Sequence, residues 1–222
     1  MKNTWVGWQI GGFIFTSILG TFLHFLFDLS GGNIVSALFS AVNESIWEHM
    51  KLIFYPMLVF SVAEWYKVSK TKSNFWCVKL MGVLTALLII PVLYYTYTGI
   101  LGKSADWFNI TIFFIAAGVA YFLEFKLLEN NKFCPLSRRL SIAILVTLAI
   151  VFTVFTFQPP EIPLFQDPQT GTYGYQKDAA VAGSVFLLQQ ANSCFFTFFN
   201  GASIPDTGLN LADMGTAHHQ HT

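Results

Sequence analysis

Five apolar stretches dominate this sequence, and each is long enough to cross a lipid bilayer as a single α-helix. They cover roughly residues 5–27, 47–66, 75–98, 107–126 and 140–158, and a transmembrane helix needs about 20 residues. Of the 222 residues, 54% are hydrophobic and only 11% are charged. The sequence therefore predicts an all-α, polytopic membrane helix bundle with about five transmembrane helices.

The distribution of Lys and Arg predicts the orientation of this bundle. Nine such residues flank the N-terminus and the second and fourth connections, whereas two, Lys51 and Lys103, flank the connections at the other side. Because positive charge is enriched in cytoplasmic loops, we expect a cytoplasmic N-terminus. We also expect the first span to be retained and the chain to begin at Met1, because that span is too long for a signal-peptide core.

The start of the second span brings together ionisable side chains that are costly beside hydrocarbon. Residues 43–51 have the sequence Asn-Glu-Ser-Ile-Trp-Glu-His-Met-Lys. On a helix, Glu44 and Glu48 share one face, and His49 lies on the adjacent stripe. We predict that Glu44 and Glu48 are catalytic carboxylates and that His49 is a metal ligand. Three further residues are predicted to support them: Asn43, Ser45 and Lys51.

The first span carries a stripe of small and polar residues that ends in His24 and Asp28. Its members recur at three- and four-residue spacing: Gln9, Gly12, Thr16, Ser17, Gly20 and Thr21. Such a stripe favours packing against a neighbouring helix, so His24 and Asp28 should lie near the start of the second span. With His49 they form a ligand set that suits zinc or another divalent metal, and a metal-bound water would be a nucleophile. The alternative is ordinary helix packing without a site.

Structural roles could account for much of the same pattern. Ser45 and Glu48 have the spacing of a capping box, and Glu48 with Lys51 could form a solvated surface pair. Glu64 and Glu124 lie near predicted cytoplasmic boundaries, where we expect their side chains to reach water beside nearby lysines. Neither Glu64 nor Glu124 then needs to belong to a binding or catalytic site.

Cysteine spacing gives no disulfide framework. Cys77, Cys134 and Cys194 show no paired spacing, and the first two fall on the predicted cytoplasmic side, where thiols stay reduced.

Three segments carry a resemblance to a known family: Leu23–Ser30, Val42–Leu52 and Gln158–Gly174. Together they resemble a family of uncharacterised prokaryotic multi-pass membrane proteins, a domain of unknown function with the motif Val-Asn-Glu-Ser-x-Trp-Glu-His-x-Lys. The resemblance covers about residues 5–174. It implies a location in the cell membrane and no particular activity.

Composition changes after Gly174, so we expect a five-helix transmembrane domain over residues 1–174 and an atypical, loosely ordered extension over 175–222. The extension ends in a histidine-rich stretch that could bind metal adventitiously. The lipid bilayer is the expected partner, and the net charge of zero predicts no nucleic-acid binding.

Three functions remain open from the sequence. One is a membrane-embedded, metal-dependent hydrolase with its site at the outer side of the membrane. The second is a transporter for a small solute, or a proton-coupled carrier, in which the same side chains relay protons. The third is a structural membrane protein whose polar residues carry out no chemistry.

Overall fold

The computed structural model of the chain describes residues 2–67, 74–130 and 136–176. Over these ranges the chain forms six α-helices: α1 (Lys2–Leu29), α2 (Ile34–Ala37), α3 (Ile46–Lys67), α4 (Phe75–Leu101), α5 (Asp106–Asn130) and α6 (Arg138–Phe157). An isolated antiparallel pairing joins Gln166 to Tyr173. The five long helices coincide with the predicted spans to within about four residues. The predicted helical membrane bundle is confirmed.

Four of the long helices, α1, α4, α5 and α6, are long and apolar enough to cross a membrane, as judged over the described residues. Helix α3 has 22 residues but is less apolar, because it contains Glu48, Lys51 and Glu64. All three residues are buried inside the bundle. Helix α3 packs against α1, α4 and α6, so its charged side chains are enclosed by protein and not by lipid.

Helix α1 has an outward apolar face and an inward face of small and polar residues. Large side chains at Ile10, Ile14, Ile18 and Phe22 are exposed, as expected for a surface that meets lipid. The inward face contains four residues of the predicted stripe, all buried: Gln9, Gly12, Thr16 and Gly20. The expectation that the stripe packs inside the bundle is confirmed at these positions.

Two irregular segments close the end of the bundle at which α1 ends and α3 begins. Gly31 and Gly32 adopt positive φ angles of 68° and 74° and turn the chain into α2. Residues 158–176 cover the same end, where the Trp47 N–H donates to the Leu164 carbonyl at 3.1 Å. The Tyr175 hydroxyl donates to the Gly32 carbonyl at 3.0 Å. These bonds hold the two segments together around the first turn of α3.

Two further predictions concern Cys77 and the C-terminal extension. Cys77 on α4 is disulfide-bonded, so the expectation that this cysteine stays reduced is wrong. Apart from Tyr175 and Gln176, the predicted C-terminal extension lies outside the described residues.

Candidate functional site

A cluster of two imidazoles and one carboxylate lies where the last turns of α1 meet the start of α3. His24 belongs to α1, His49 to the first turn of α3, and Glu44 to the loop just before it. Each residue offers a ligand atom, and the three atoms lie within 4.8 Å of one another. We call His24, Glu44 and His49 the ligand triad. It is the one such group of metal-binding side chains among the described residues.

Two distances in the ligand triad, to different oxygens of Glu44, can be compared with those around a bound metal. His49 Nε2 lies 3.4 Å from one Glu44 oxygen, and His24 Nε2 lies 3.9 Å from the other. Ligand atoms bound to one tetrahedral zinc ion at about 2.0–2.1 Å lie roughly 3.4 Å apart. The side chains are 25–40% exposed, so an ion from solution can reach them. Two imidazoles and a carboxylate also leave a fourth position open, as in catalytic zinc sites.

The main-chain carbonyl of Ser45, just before α3, orients the imidazole ring of His49. Nδ1 of His49 lies 2.9 Å from the Ser45 carbonyl oxygen. A carbonyl only accepts hydrogen bonds, so Nδ1 is the donor in this contact, and Nε2 is the ring nitrogen that faces Glu44. A second hydrogen bond of this kind orients most metal-binding histidines. Ser45 therefore supports the triad through its carbonyl group.

The loop before α3 is held by the other predicted supporting residues. The Ser45 hydroxyl accepts the Glu48 N–H at 3.4 Å and caps the helix, and Asn43 Oδ1 accepts the Ser45 N–H at 3.0 Å. The Asn43 amide donates to the Gly174 carbonyl at 3.2 Å. In a complete capping box the Glu48 carboxylate would accept the Ser45 N–H, but it accepts the Val42 N–H at 3.1 Å instead.

Glu48 and Lys51 form a buried network with Thr156 of α6. Lys51 Nζ lies 2.5 Å from Glu48 Oε2 and donates to the Thr156 hydroxyl at 2.8 Å. The same ammonium donates to the Ala37 carbonyl at 2.9 Å, and Glu48 Oε1 accepts from Thr156 at 3.0 Å. This network ties α3 to α6 and to the α2 segment. The solvated Glu48–Lys51 pair considered from the sequence is not what forms.

Asp28 stands apart from the ligand triad, although it lies on the same helix as His24. Its carboxylate is not among the clustered ligand atoms, but it is close enough to Glu44 for the two charges to repel each other. The structure thus brings three of the five predicted catalytic and metal-binding residues together and leaves Asp28 and Glu48 outside the group.

A cavity of about 400 Å³ opens beside the ligand triad. Volumes of about 300–1,000 Å³ are typical of small-molecule sites. Its polar wall contains the triad together with Asn109 of α5 and Gln169 of the 158–176 segment. Sequence reasoning missed both amides, because each is far from the motif in the chain. The Asn109 side chain accepts a hydrogen bond from Tyr97 at 2.5 Å, which anchors it in place.

A second polar cluster lies at the opposite end of the bundle and was also missed. Lys79 of α4 lies 2.5 Å from the carboxylates of both Glu64 and Glu124. Gln9 of α1 donates to Glu64 at 3.0 Å. All three charged side chains are fully buried, so the expectation that Glu64 and Glu124 reach water is wrong. We call Glu64, Lys79 and Glu124 the buried ion cluster.

The fold and the two polar clusters define an integral membrane protein, a helical bundle with a polar cavity near one end and buried charges near the other. The chain belongs to DUF6512, a family of unknown function, whose model matches residues 2–175. No curated protein and no solved structure is similar enough to match this chain.

Proposed function

We propose that this protein is a metal-dependent hydrolase embedded in the membrane, with a divalent transition metal such as zinc bound by His24, Glu44 and His49. The observation that carries the proposal is the meeting of three ligand atoms within 4.8 Å beside a cavity of about 400 Å³. A zinc ion with three protein ligands activates a bound water near neutral pH.

The distances favour a different division of roles from the one predicted from the motif alone. Glu44 faces both imidazoles, so we assign it as a metal ligand. Asp28 is a carboxylate outside the triad that interacts electrostatically with Glu44, and we assign it as the general base. Glu48 is bonded to Lys51 and Thr156, and we assign it a structural role that holds the first turn of α3.

Metal analysis of purified protein tests the proposal. The terminal histidines His218, His219 and His221 are first replaced by Ala, so that adventitious binding there is removed. In that background we expect about one metal ion per chain, and we expect His49→Ala and Glu44→Gln to lose it while the protein stays folded. Glu161→Gln, in the exposed part of the 158–176 segment, is the matched control and should keep the metal. A metal-free background protein would refute the proposal.

One observation favours a second function, a proton-coupled carrier. Two carboxylates share one ammonium in the buried ion cluster, and ionisable residues inside membrane helices often belong to proton relays. If this is the function, proton movement into vesicles that contain the protein should disappear in Glu124→Gln. Proton movement unchanged in Glu124→Gln would reject it.

The location and the family motif complete the proposal. The apolar helices support a place in a membrane, and we propose the prokaryotic cell membrane, with the bilayer as partner and no nucleic acid. The triad residues Glu44 and His49 fall within the proposed family motif, which would then encode the metal site.

A further inference from the structure

The cavity beside the ligand triad has a polar wall and an apolar wall. The polar wall carries the triad and two amides, whereas the apolar wall is built from five side chains: Phe25, Leu52, Ile110, Phe113 and Phe114. A cavity divided in this way suits an amphiphile, with its polar end at the triad and its hydrocarbon along the aromatic side chains.

The apolar wall continues onto the outer surface of the bundle. Phe25 of α1 is 47% exposed, and Ile110 and Phe114 of α5 are 58% and 39% exposed. Both helices are apolar enough to cross a membrane. In a bilayer, side chains exposed on such helices contact acyl chains. The cavity therefore lies beside a surface that faces lipid between α1 and α5.

Thr21 marks the side of the cavity that belongs to α1. It lines the cavity, it is exposed, and its hydroxyl is satisfied by the Ser17 carbonyl of its own helix at 2.8 Å. Because Thr21 is small and lines the cavity between α1 and α5, a large side chain at position 21 would take up part of the cavity.

We propose that the substrate is a bilayer phospholipid that reaches the ligand triad sideways from the membrane, with one acyl chain along Phe25, Phe113 and Phe114. This inference rests on the proposed hydrolase function for the reaction, although lipid binding itself does not need the metal. Hydrolysis of the acyl ester would add one water across the bond. The hydroxyl oxygen joins the acyl carbon, the bond to the glycerol oxygen breaks, and that oxygen takes the remaining proton.

Photolabelling in vesicles tests the inference. The protein is placed in vesicles of phosphatidylethanolamine and phosphatidylglycerol that contain phosphatidylcholine with a diazirine on one acyl chain. In the wild type we expect labelled residues in α1 and α5 around the cavity. Thr21→Trp should reduce this labelling by about tenfold, because the indole takes the space that the acyl chain needs.

Thr111→Trp is the matched control. Thr111 is an exposed threonine on α5, bonded to the carbonyl four residues earlier, but it does not line the cavity. Labelling should be unchanged in this variant. Equal labelling in Thr21→Trp and Thr111→Trp, or no labelling of α1 and α5 in the wild type, would overturn the inference.

Metal content measured on the same samples separates this inference from the proposed function. His49→Ala should lose the metal and keep the labelling. Labelling that depends on Thr21 in a wild-type protein that contains no metal would support the lipid site and reject the hydrolase. If the protein contains metal and its labelling is the same with and without Thr21→Trp, the metal site is supported and the lipid site is rejected.

Discussion

Gly20 of α1 lies directly against the main chain of α3 at Leu52. A Cβ atom built on Gly20 would lie 2.6 Å from the Leu52 carbonyl oxygen and 2.6 Å from the Phe113 ring. His24 follows Gly20 by one turn, and His49 precedes Leu52 by about one turn. The close approach of the two helices therefore sets the 5.3 Å separation of the two imidazole rings.

Substituting Gly20→Ala should push α1 away from α3 and weaken the ligand triad. Because one contact is backbone and cannot rotate away, we expect a loss of about 1–3 kcal/mol in the free energy of unfolding together with reduced metal content. Gly7→Ala on the same helix is the control, since nothing lies within 4 Å of its added methyl group. Thermal unfolding and metal analysis check both, and equal behaviour of the two variants would contradict the prediction.

Glu44→Gln should lose metal and keep its thermal stability, whereas Glu48→Gln should lose thermal stability and keep metal. Glu48 and Lys51 are a buried ion pair with side chains at 2% and 0% exposure. Removing one partner of a buried pair typically costs about 3–5 kcal/mol, so Glu48→Gln should lower thermal stability strongly and retain metal in the folded fraction. Glu44 is 40% exposed, and Glu44→Gln should lose metal with little change in stability. Loss of metal in a fully stable Glu48→Gln protein would return Glu48 to the site.

Lys79→Met should destabilise the protein more than either Glu64→Gln or Glu124→Gln. The lysine is the shared cation of the buried ion cluster, and without it two carboxylates remain buried together, whereas each Gln variant leaves one ion pair intact. Lys126→Met is the control, because that side chain is exposed on α5. Thermal unfolding of the four variants in detergent would show the order, and a Lys79→Met protein as stable as Lys126→Met would disprove it.

The sequence predicts the features that depend on local pattern, but not the contacts between residues that are distant in the chain. Apolar length predicts all five long helices, and helical spacing places His24 near the start of α3. By contrast, Lys51 meets Thr156 across 105 positions, and Lys79 meets Glu124 across 45. No local spacing encodes these partners. Glu64 and Glu124 each have a lysine nearby in the chain, so the sequence favoured local pairs where the fold forms distant ones.

Two observations indicate opposite orientations of the bundle in the membrane. The bias of Lys and Arg predicts that the end near Phe75 is cytoplasmic, whereas the disulfide at Cys77 is typical of an oxidising compartment. Charge determines insertion, so we expect reporter fusions after Lys72 and Arg139 to be cytoplasmic and those after Lys103 and Gly174 to be external. A cytoplasmic signal at Lys103 would reverse the orientation.

Asp28→Asn separates metal binding from catalysis at the site. If Asp28 is the general base, the variant should bind metal as the wild type does, because the ligand atoms come from His24, Glu44 and His49. Hydrolysis of the phospholipid ester should fall by about 10²–10⁴-fold, which is the usual contribution of a positioned base. Metal content and fatty-acid release are measured on the same preparation, with Glu161→Gln as the control, because Glu161 is an exposed carboxylate in the 158–176 segment. If Asp28→Asn loses the metal, the carboxylate is a ligand, as the sequence first predicted. If it keeps both metal and turnover, Asp28 has no part in the reaction.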